Sequence, residues 1–347
     1  MNAARKIFPN EAAARRAGIF LCATAGIEWA VRRNERDGFP LVKALAEGVG
    51  TSGGFLVPPE LSDRIIELRD LRGVFRQNAY IEPMGSDSIS VPRRVSGLTA
   101  FFTAENATIT ESQGSWDSIS LTAKKLSVLA RASAEVTEDS AGRLAAAIVR
   151  ETAYQFADRE DQCGFVGDGG SSFGGVRGLT KLIVDGGHNA SKVTAASGHD
   201  LYSEIDATDL ANVIGAVPNY ALANARWYVS PMAFALVFCR LATSSGGIIM
   251  MMIDGRLTPT FLGFPIVVSS TLPNVNTTLN GVVMILLGDL NLSSTIGDRT
   301  GVQIKTNTQR ALDADQILFR GRQRFDLVNN DVGDNTNPGP MVGLTGN

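Results

Sequence analysis

Residues 81–132 read as a long two-stranded finger with an irregular tip, and few folds tolerate such an element. The outgoing side, Ser88-Ile89-Ser90-Val91, alternates apolar residues with serine. The returning side runs Ile119-Ser120-Leu121-Thr122-Ala123 and then Leu126-Ser127-Val128-Leu129-Ala130-Arg131-Ala132. Alternation with a period of two marks strands with one covered face, and its slip at Lys124-Lys125 predicts a bulge. Between the sides lie Ser96 to Trp116, carrying Phe101, Phe102, Ile109 and Trp116 among small and polar residues. A compact domain seldom carries a loop of that length without a use, and an isolated ribbon is marginal in water. The apolar face of Ile89, Val91, Ile119 and Leu121, with tip aromatics Phe101, Phe102 and Trp116, therefore predicts cover by a neighbouring subunit.

The rest of the composition fits a chain built to assemble. At 347 residues one large domain or two to three modest ones are expected. A hydrophobic share of 44% supplies a sizeable core, and a charged share of 19% leaves neutral surface for permanent contacts. Thirty-two basic against thirty-five acidic residues give net −3, which argues against a dedicated nucleic-acid binder. Three scattered cysteines, Cys22, Cys163 and Cys239, do not make a disulfide framework and suit a reducing cytoplasm.

Residues 1–50 differ in character, with eight Lys and Arg against five Asp and Glu, so the remaining chain carries net −6. Ile19 to Ala25 behind Arg15-Arg16 imitates a secretion signal, but the run is short and leads straight into Glu28-Trp29. A basic amphipathic helix ended by Asp37-Gly38 and Pro40 accounts for the same residues. No run approaches the length of a membrane span.

Thr51 to Pro59 is an extended arm, because Gly53-Gly54 and Pro58-Pro59 both oppose helix. Leu61, Ile65, Leu68 and Leu71 recur at helical spacing until Gly73. The longest helix is predicted from an N-cap at Thr137 to Phe165, with Ala145, Ile148, Val149, Thr152, Ala153 and Phe156 on one face. A helix around Leu210 to Val217, a strand Arg226 to Val229 and a Ser230-Pro231 helix start follow. Nearly all-apolar strands are predicted at Phe264 to Val268 and Val282 to Leu287. Met250 to Met252 read as core filler. A late strand, Ile317 to Arg324, places Arg320, Arg322 and Arg324 on one face; such a row is solvated, paired with carboxylates, or turned toward nucleic acid.

Catalytic patterns are sparse. Gly170-Ser171-Ser172-Phe173-Gly174 matches G-x-S-x-G, with Asp185 and then His188 or His199 in the order a serine hydrolase requires. A nucleophile elbow must leave a strand and enter a helix, and here the pattern follows a helix into a glycine-rich turn. No strand or Gly-Lys-Ser/Thr accompanies these glycines, so a phosphate loop is not indicated. Two histidines and three separated cysteines show no metal-ligand spacing, and no cofactor is expected.

Taken in order, arm, finger, long helix, glycine turn and compact second domain resemble the major capsid proteins of tailed bacteriophages with the Hong Kong 97 fold. The stretches that carry the resemblance are Ser52-Gly53-Gly54-Phe55-Leu56-Val57-Pro58, Ile89-Ser90-Val91-Pro92, Thr110-Glu111-Ser112 and Leu121-Thr122-Ala123-Lys124-Lys125-Leu126. Further along come Glu138-Asp139-Ser140, Phe165-Val166-Gly167-Asp168-Gly169, Ala225-Arg226-Trp227, Leu262 to Val268 and Gly288-Asp289-Leu290. Each is weak alone; their order from about 51 to 326 is not.

The resemblance implies an α+β capsid fold with an N-terminal arm, an extended β-hairpin loop, a peripheral domain with a long spine helix, and an axial domain. In these terms 1–50 is a basic helical extension, 51–59 the arm and 81–132 the extended loop. Residues 60–80, 133–199 and 306–334 form the peripheral domain, 200–305 the axial domain and 335–347 a tail. The implied function is structural, not enzymatic: hexamers and pentamers closing into an icosahedral head around double-stranded DNA. Partners would be other copies of the chain, a portal, and possible scaffold, protease or decoration proteins. Phe55 joins the finger residues as a candidate assembly contact, and Arg320, Arg322 and Arg324 become candidates to face DNA. The finger has no lysine from Gly85 to Ala123, so the isopeptide cross-link that some relatives make between finger lysine and asparagine is not expected. A bacterial nanocompartment shell is the nearest alternative, and a serine hydrolase built on Ser172 a distant one.

Overall fold

The computed structural model describes residues 16–20, 23, 28–37, 59–94, 100–103, 111, 116–133, 141–245, 249–253, 256–307 and 316–347. The arm with Phe55, and the expected N-cap at Thr137, lie outside them.

Within the basic extension, residues 16–20 are helical, followed by helix α1, Glu28–Arg36. Ile19, Ala23 and Ala30 bury against one another beside Val31, so the described residues of the signal-like run pack against α1. Helices α2, Pro59–Arg72, and α3, Val74–Asn78, pack along α4, Ala141–Val166. At 26 residues α4 is about 39 Å long, and it ends one residue past the expected stop.

The strands make three sheets. A four-stranded sheet has the order β1 (Tyr80–Pro83), β11 (Ser294–Asn307), β12 (Gln316–Asn329), β4 (Lys124–Ser133). The ribbon pairs β2, Ser88–Arg94, with β3, Trp116–Thr122. A seven-stranded sheet runs β5 (Lys192–Thr194), β13 (Met341–Thr345), β10 (Val283–Gly288), β6 (Arg226–Val229), β9 (Phe264–Val268), β8 (Arg256–Phe261), β7 (Ile249–Ile253). The helix Ala207–Ala216, here α5, opens with a capping box: Asp209 N–H donates to Asp206 Oδ1 at 2.9 Å and Asp206 N–H to Asp209 Oδ2 at 3.1 Å. Ser230 caps the next helix as expected, accepting from Ala233 N–H at 3.1 Å, and Phe234–Cys239 continues it with π-helical spacing.

Four expectations need correction. The returning side of the finger does not continue to residue 132. It leaves the ribbon at Ala123, and β4 then pairs with β12 from Lys124↔Phe325 to Ser133↔Gln316. A bulge and a change of sheet both appear as a slip in alternation, and only the pairing partner separates them. Residues 335–347 are not a separate tail, because β13 lies inside the seven-stranded sheet with all five residues buried. β5 belongs to the seven-stranded sheet and β11 to the four-stranded one, so the boundary drawn at 199 moves to before Lys192 and that at 305 to before Ser294. Finally, Met250, Met251 and Met252 are not core filler: they are exposed on the edge strand β7.

The two larger sheets share a core. Phe165, near the end of α4, meets Phe75 of α3 edge-on at 5.1 Å and Tyr228 of β6 at 5.8 Å. Leu286 and Met341 of the seven-stranded sheet and Ile296, Phe325 and Leu327 of the four-stranded sheet bury in the same cluster. Gly164 allows this closeness, since a Cβ there would lie 2.3 Å from the Phe75 ring. Across the four-stranded sheet, Gly321 leaves room for Thr152 of α4, 2.8 Å from where its Cβ would be. The helix therefore lies directly on the face of β12 that carries Gly321.

Beneath α4 a buried polar network ties helices to sheet. Arg76 donates twice to Glu160, at 2.7 and 2.9 Å, and once to Asp298 at 2.9 Å. Gln323 donates to Glu160 at 2.6 Å and accepts from Arg69 at 2.9 Å. Burial opposes the Arg76 charge, but Glu160, Asp298 and Asp70 outweigh it and hold the guanidinium above its ordinary value. Next to it, burial pushes the Asp161 carboxyl up to about 7, although Phe75 and Val74 donate their backbone N–H groups to it.

Candidate assembly surface

The ribbon is anchored at its root, and the described residues between its two strands are exposed. Ile89↔Leu121 and Val91↔Ile119 pair across it, so these four residues share one face. Leu121 is buried within the subunit, against Met84 over Gly297, which corrects the expectation that this face lacks local cover. Ile89, Val91 and Ile119 are half-buried. Trp116 stands opposite Arg94 at the far end of the ribbon. Beyond it, Phe101 is 52% exposed and Phe102 fully exposed.

Charges on neighbouring elements fix the root. Asp326, buried on β12, accepts from Thr122 N–H at 2.7 Å and from Lys124 Nζ at 3.0 Å. These donors flank Ala123, the point where the chain passes from ribbon to sheet, and Ala123 N–H itself donates to Asp87 O at 2.8 Å. The Asp87 carboxylate accepts from Arg324 at 2.9 Å and pairs with Arg299. A fixed base and exposed aromatics at Phe101 and Phe102 suit the ribbon to reach another body. The sequence named the tip; it did not name Asp87 or Asp326, whose roles depend on residues some 200 positions away.

The arginine row sits on the face of β12 opposite α4. Arg320 is exposed, while Arg322 donates to Gln303 Oε1 at 2.8 and 3.1 Å and Arg324 is engaged by Asp87. Register adds bases from β4: Lys125 stands opposite Arg324 and Arg131 opposite Leu318. Lys125 and Arg131 are exposed. The basic face is thus broader than the three residues visible in one strand.

Catalytic geometry does not assemble around Ser172. Ser171–Phe173 is a 3-10 turn leaving α4, and the Ser172 carbonyl accepts from Arg159. His188 Nδ1 lies 3.0 Å from Asp185 and 3.1 Å from Leu182 O, and His199 Nδ1 lies 2.7 Å from Asp209. Among the described residues no hydrogen bond joins either serine to either histidine. One cluster missed in the sequence, His199, Asp206 and Asp209, brings ligand-type atoms within 4.8 Å of one another. Its contacts are those of the α5 capping box, with Ala196 N–H also donating to Asp209 at 2.9 Å.

Comparison with known proteins points to one family. The sequence model of the phage capsid family matches residues 53–332. A 76-residue stretch is 37% identical to the major capsid protein of Klebsiella oxytoca phage phiKO2, covering 22% of this chain and 18% of that protein. Among solved structures, the capsid of an empty GTA particle computed with C5 symmetry is similar at TM-score 0.61 and 18% identity, over 86% of this chain and 94% of that one. A structure from Mycobacterium phage Bobi is similar at TM-score 0.55 and 18% identity, over 88% and 93%.

Proposed function

The chain belongs to the phage capsid family, and from that premise we propose that its copies close, as hexamers and pentamers, into an icosahedral head enclosing double-stranded DNA. The observation that carries this reading is the ribbon: it is rooted by Asp326 and Asp87, and between its strands Phe101 is 52% exposed and Phe102 fully exposed. The ribbon lies across a neighbouring copy, where an obligate interface buries more than about 2,000 Å². The work of the protein is structural, and Ser172 has no catalytic part. Assembly takes place in the host cytoplasm, with a portal and with scaffold, protease or decoration proteins as partners.

The basic face of Arg320, Arg322, Arg324, Lys125 and Arg131 turns toward the enclosed DNA, contacting phosphates without reading sequence. A net charge of −3 suits a container that must hold DNA without fixing it to the wall. Residues 15–36 guide assembly, so a chain starting at Thr51 gives fewer shells or a wider spread of sizes.

Electron microscopy of the purified protein tests the reading directly. Closed shells are expected from the full chain, and folded subunits without shells from a chain lacking Ser96 to Trp116. Normal shells from the deletion would sink the role given to the finger. Particles that package a protein cargo and no nucleic acid would point instead to a nanocompartment.

A further inference from the structure

The chain contains a single Asn-Gly pair, Asn280-Gly281, in the turn that leads into β10. In such a pair the asparagine side chain turns most easily on its own backbone, because glycine sets no side chain against the approach. The structure leaves that approach open. Asn280 is exposed, Gly281 sits at φ 69°, and a Cβ built on Gly281 would meet no atom within 4 Å.

One restraint holds the nitrogen that would react. Gly281 N–H donates to Gly346 O at 3.0 Å, and Asn280 stands beside Gly346 as its bridge partner. Gly346 follows β13 directly, and it lies so close that a Cβ there would sit 2.6 Å from Leu279 O and 3.2 Å from Asp200 Cα. Gly346 N–H in turn donates to Val282 O at 3.3 Å, and Leu279 N–H to Asp200 O at 2.9 Å. The end of β13 therefore closes as a clasp over the turn. A backbone N–H engaged in such a bond yields its proton only when the local structure opens, so the nitrogen is idle while the clasp is shut.

We propose that Asn280 is a site of spontaneous backbone modification, gated by Gly346. When the end of β13 lifts, hydroxide takes the proton from the Gly281 nitrogen, which attacks Asn280 Cγ. The new C–N bond forms as the side-chain amide nitrogen leaves as ammonia, and a succinimide ring results. Water then opens the ring at either carbonyl, giving aspartate or isoaspartate at this position. One ammonia leaves and one water enters; nothing is oxidised or reduced. In the isoaspartate product the main chain runs through the side-chain methylene, so the turn is one carbon longer and carries a new carboxylate. A lengthened turn no longer matches Gly346, and the clasp does not close again. The modification is thus one-way, and it does not depend on the capsid reading.

The full chain, unassembled and held at mildly alkaline pH, supplies the test. Peptide mass spectrometry follows conversion at Asn280, and an isoaspartyl methyltransferase reads the isoaspartate separately. The folded chain should convert Asn280 at least about tenfold more slowly than the same chain unfolded in urea, because only the open clasp reacts. Gly346→Ala drives a methyl group against Leu279 O and should raise the rate in the folded state about tenfold, toward that of the open turn. Should that variant not fold, the unmodified chain in urea below its unfolding transition makes the same point. There, conversion should rise in proportion to hydrogen exchange at Gly281 N–H. No isoaspartate at Asn280 even in the unfolded chain would overturn the site. Equal rates folded and unfolded, a folded Gly346→Ala chain that reacts like wild type, or conversion that ignores Gly281 exchange would overturn the gate.

Discussion

Asp326→Ala should loosen the finger while leaving the two larger sheets folded. The carboxylate is buried and accepts from Thr122 N–H at 2.7 Å and Lys124 Nζ at 3.0 Å. A hydrogen bond to a charged acceptor is worth about 1.5–3 kcal/mol, so the loss of the Thr122 bond dominates. Lys124 is 41% exposed, and solvent screening holds its ion pair to at most about 1 kcal/mol. The expected cost is about 2–3 kcal/mol, or roughly 3–4 °C in Tm for a chain of this size. Asp326→Asn keeps one acceptor oxygen and should lose about half as much. Lys124→Met should lose less than about 1 kcal/mol, which separates the two bonds. Urea unfolding of unassembled subunits reads the stability. Hydrogen exchange across residues 116–126 reads the root, where protection should fall while that of β6 and β10 stays. Assembly should fail more severely than stability does, because a misaimed finger misses its neighbour. A stability loss below about 0.5 kcal/mol with unchanged exchange at 116–126 would refute the idea that Asp326 roots the finger.

Three further outcomes follow from the buried charges and from the ribbon's composition. Arg76→Leu leaves Glu160 buried with only Gln323 and the more distant Arg69, and should cost about 3–5 kcal/mol in urea unfolding; Arg76→Leu/Glu160→Leu should cost clearly less than the sum of the single changes. Asp161 has its carboxyl pushed up to about 7 by burial, above the ordinary unfolded value, so its contribution is fully present below about pH 4 and is lost as pH rises toward 7. Asp161→Asn removes that titration, and the stability of the wild type relative to the variant should fall between pH 4 and 7; a flat difference would contradict the assignment. Boiling assembled particles in detergent with reductant should give a single band at 36.9 kDa or less after processing, since the nearest lysine, Lys124, is held at the finger root by Asp326. A ladder of covalent oligomers would contradict this.

Features written in local pattern were legible in the sequence. The body of α4, the strands at 226–229 and 264–268 and the cap at Ser230 all follow from spacing and punctuation, and the structure places the end of α4, both strands and the cap within a residue of expectation. Features set by partners distant in sequence were not. Nothing local to Ala123 says that the next residue changes sheets, because that depends on β12. Met341 to Thr345 reads as an Asn- and Gly-flanked remnant until β10 and β5 are seen on either side of it. The triplet Met250 to Met252 was misjudged for a related reason. Hydrophobic character states that a residue seeks cover, but not whether its own chain or another supplies it.

In the DNA-filled head proposed above, the meeting of Phe75, Phe165 and Tyr228 would bear on how the shell carries load. Both larger sheets bury into that one cluster, so among the described residues the two halves of the subunit are joined by a shared core. Close-packed interiors are stiff and transmit force rather than absorb it. Pressure from confined DNA would therefore pass through each subunit as through a rigid tile. The compliance of the wall, and the place where it first tears, would lie in the joints between tiles.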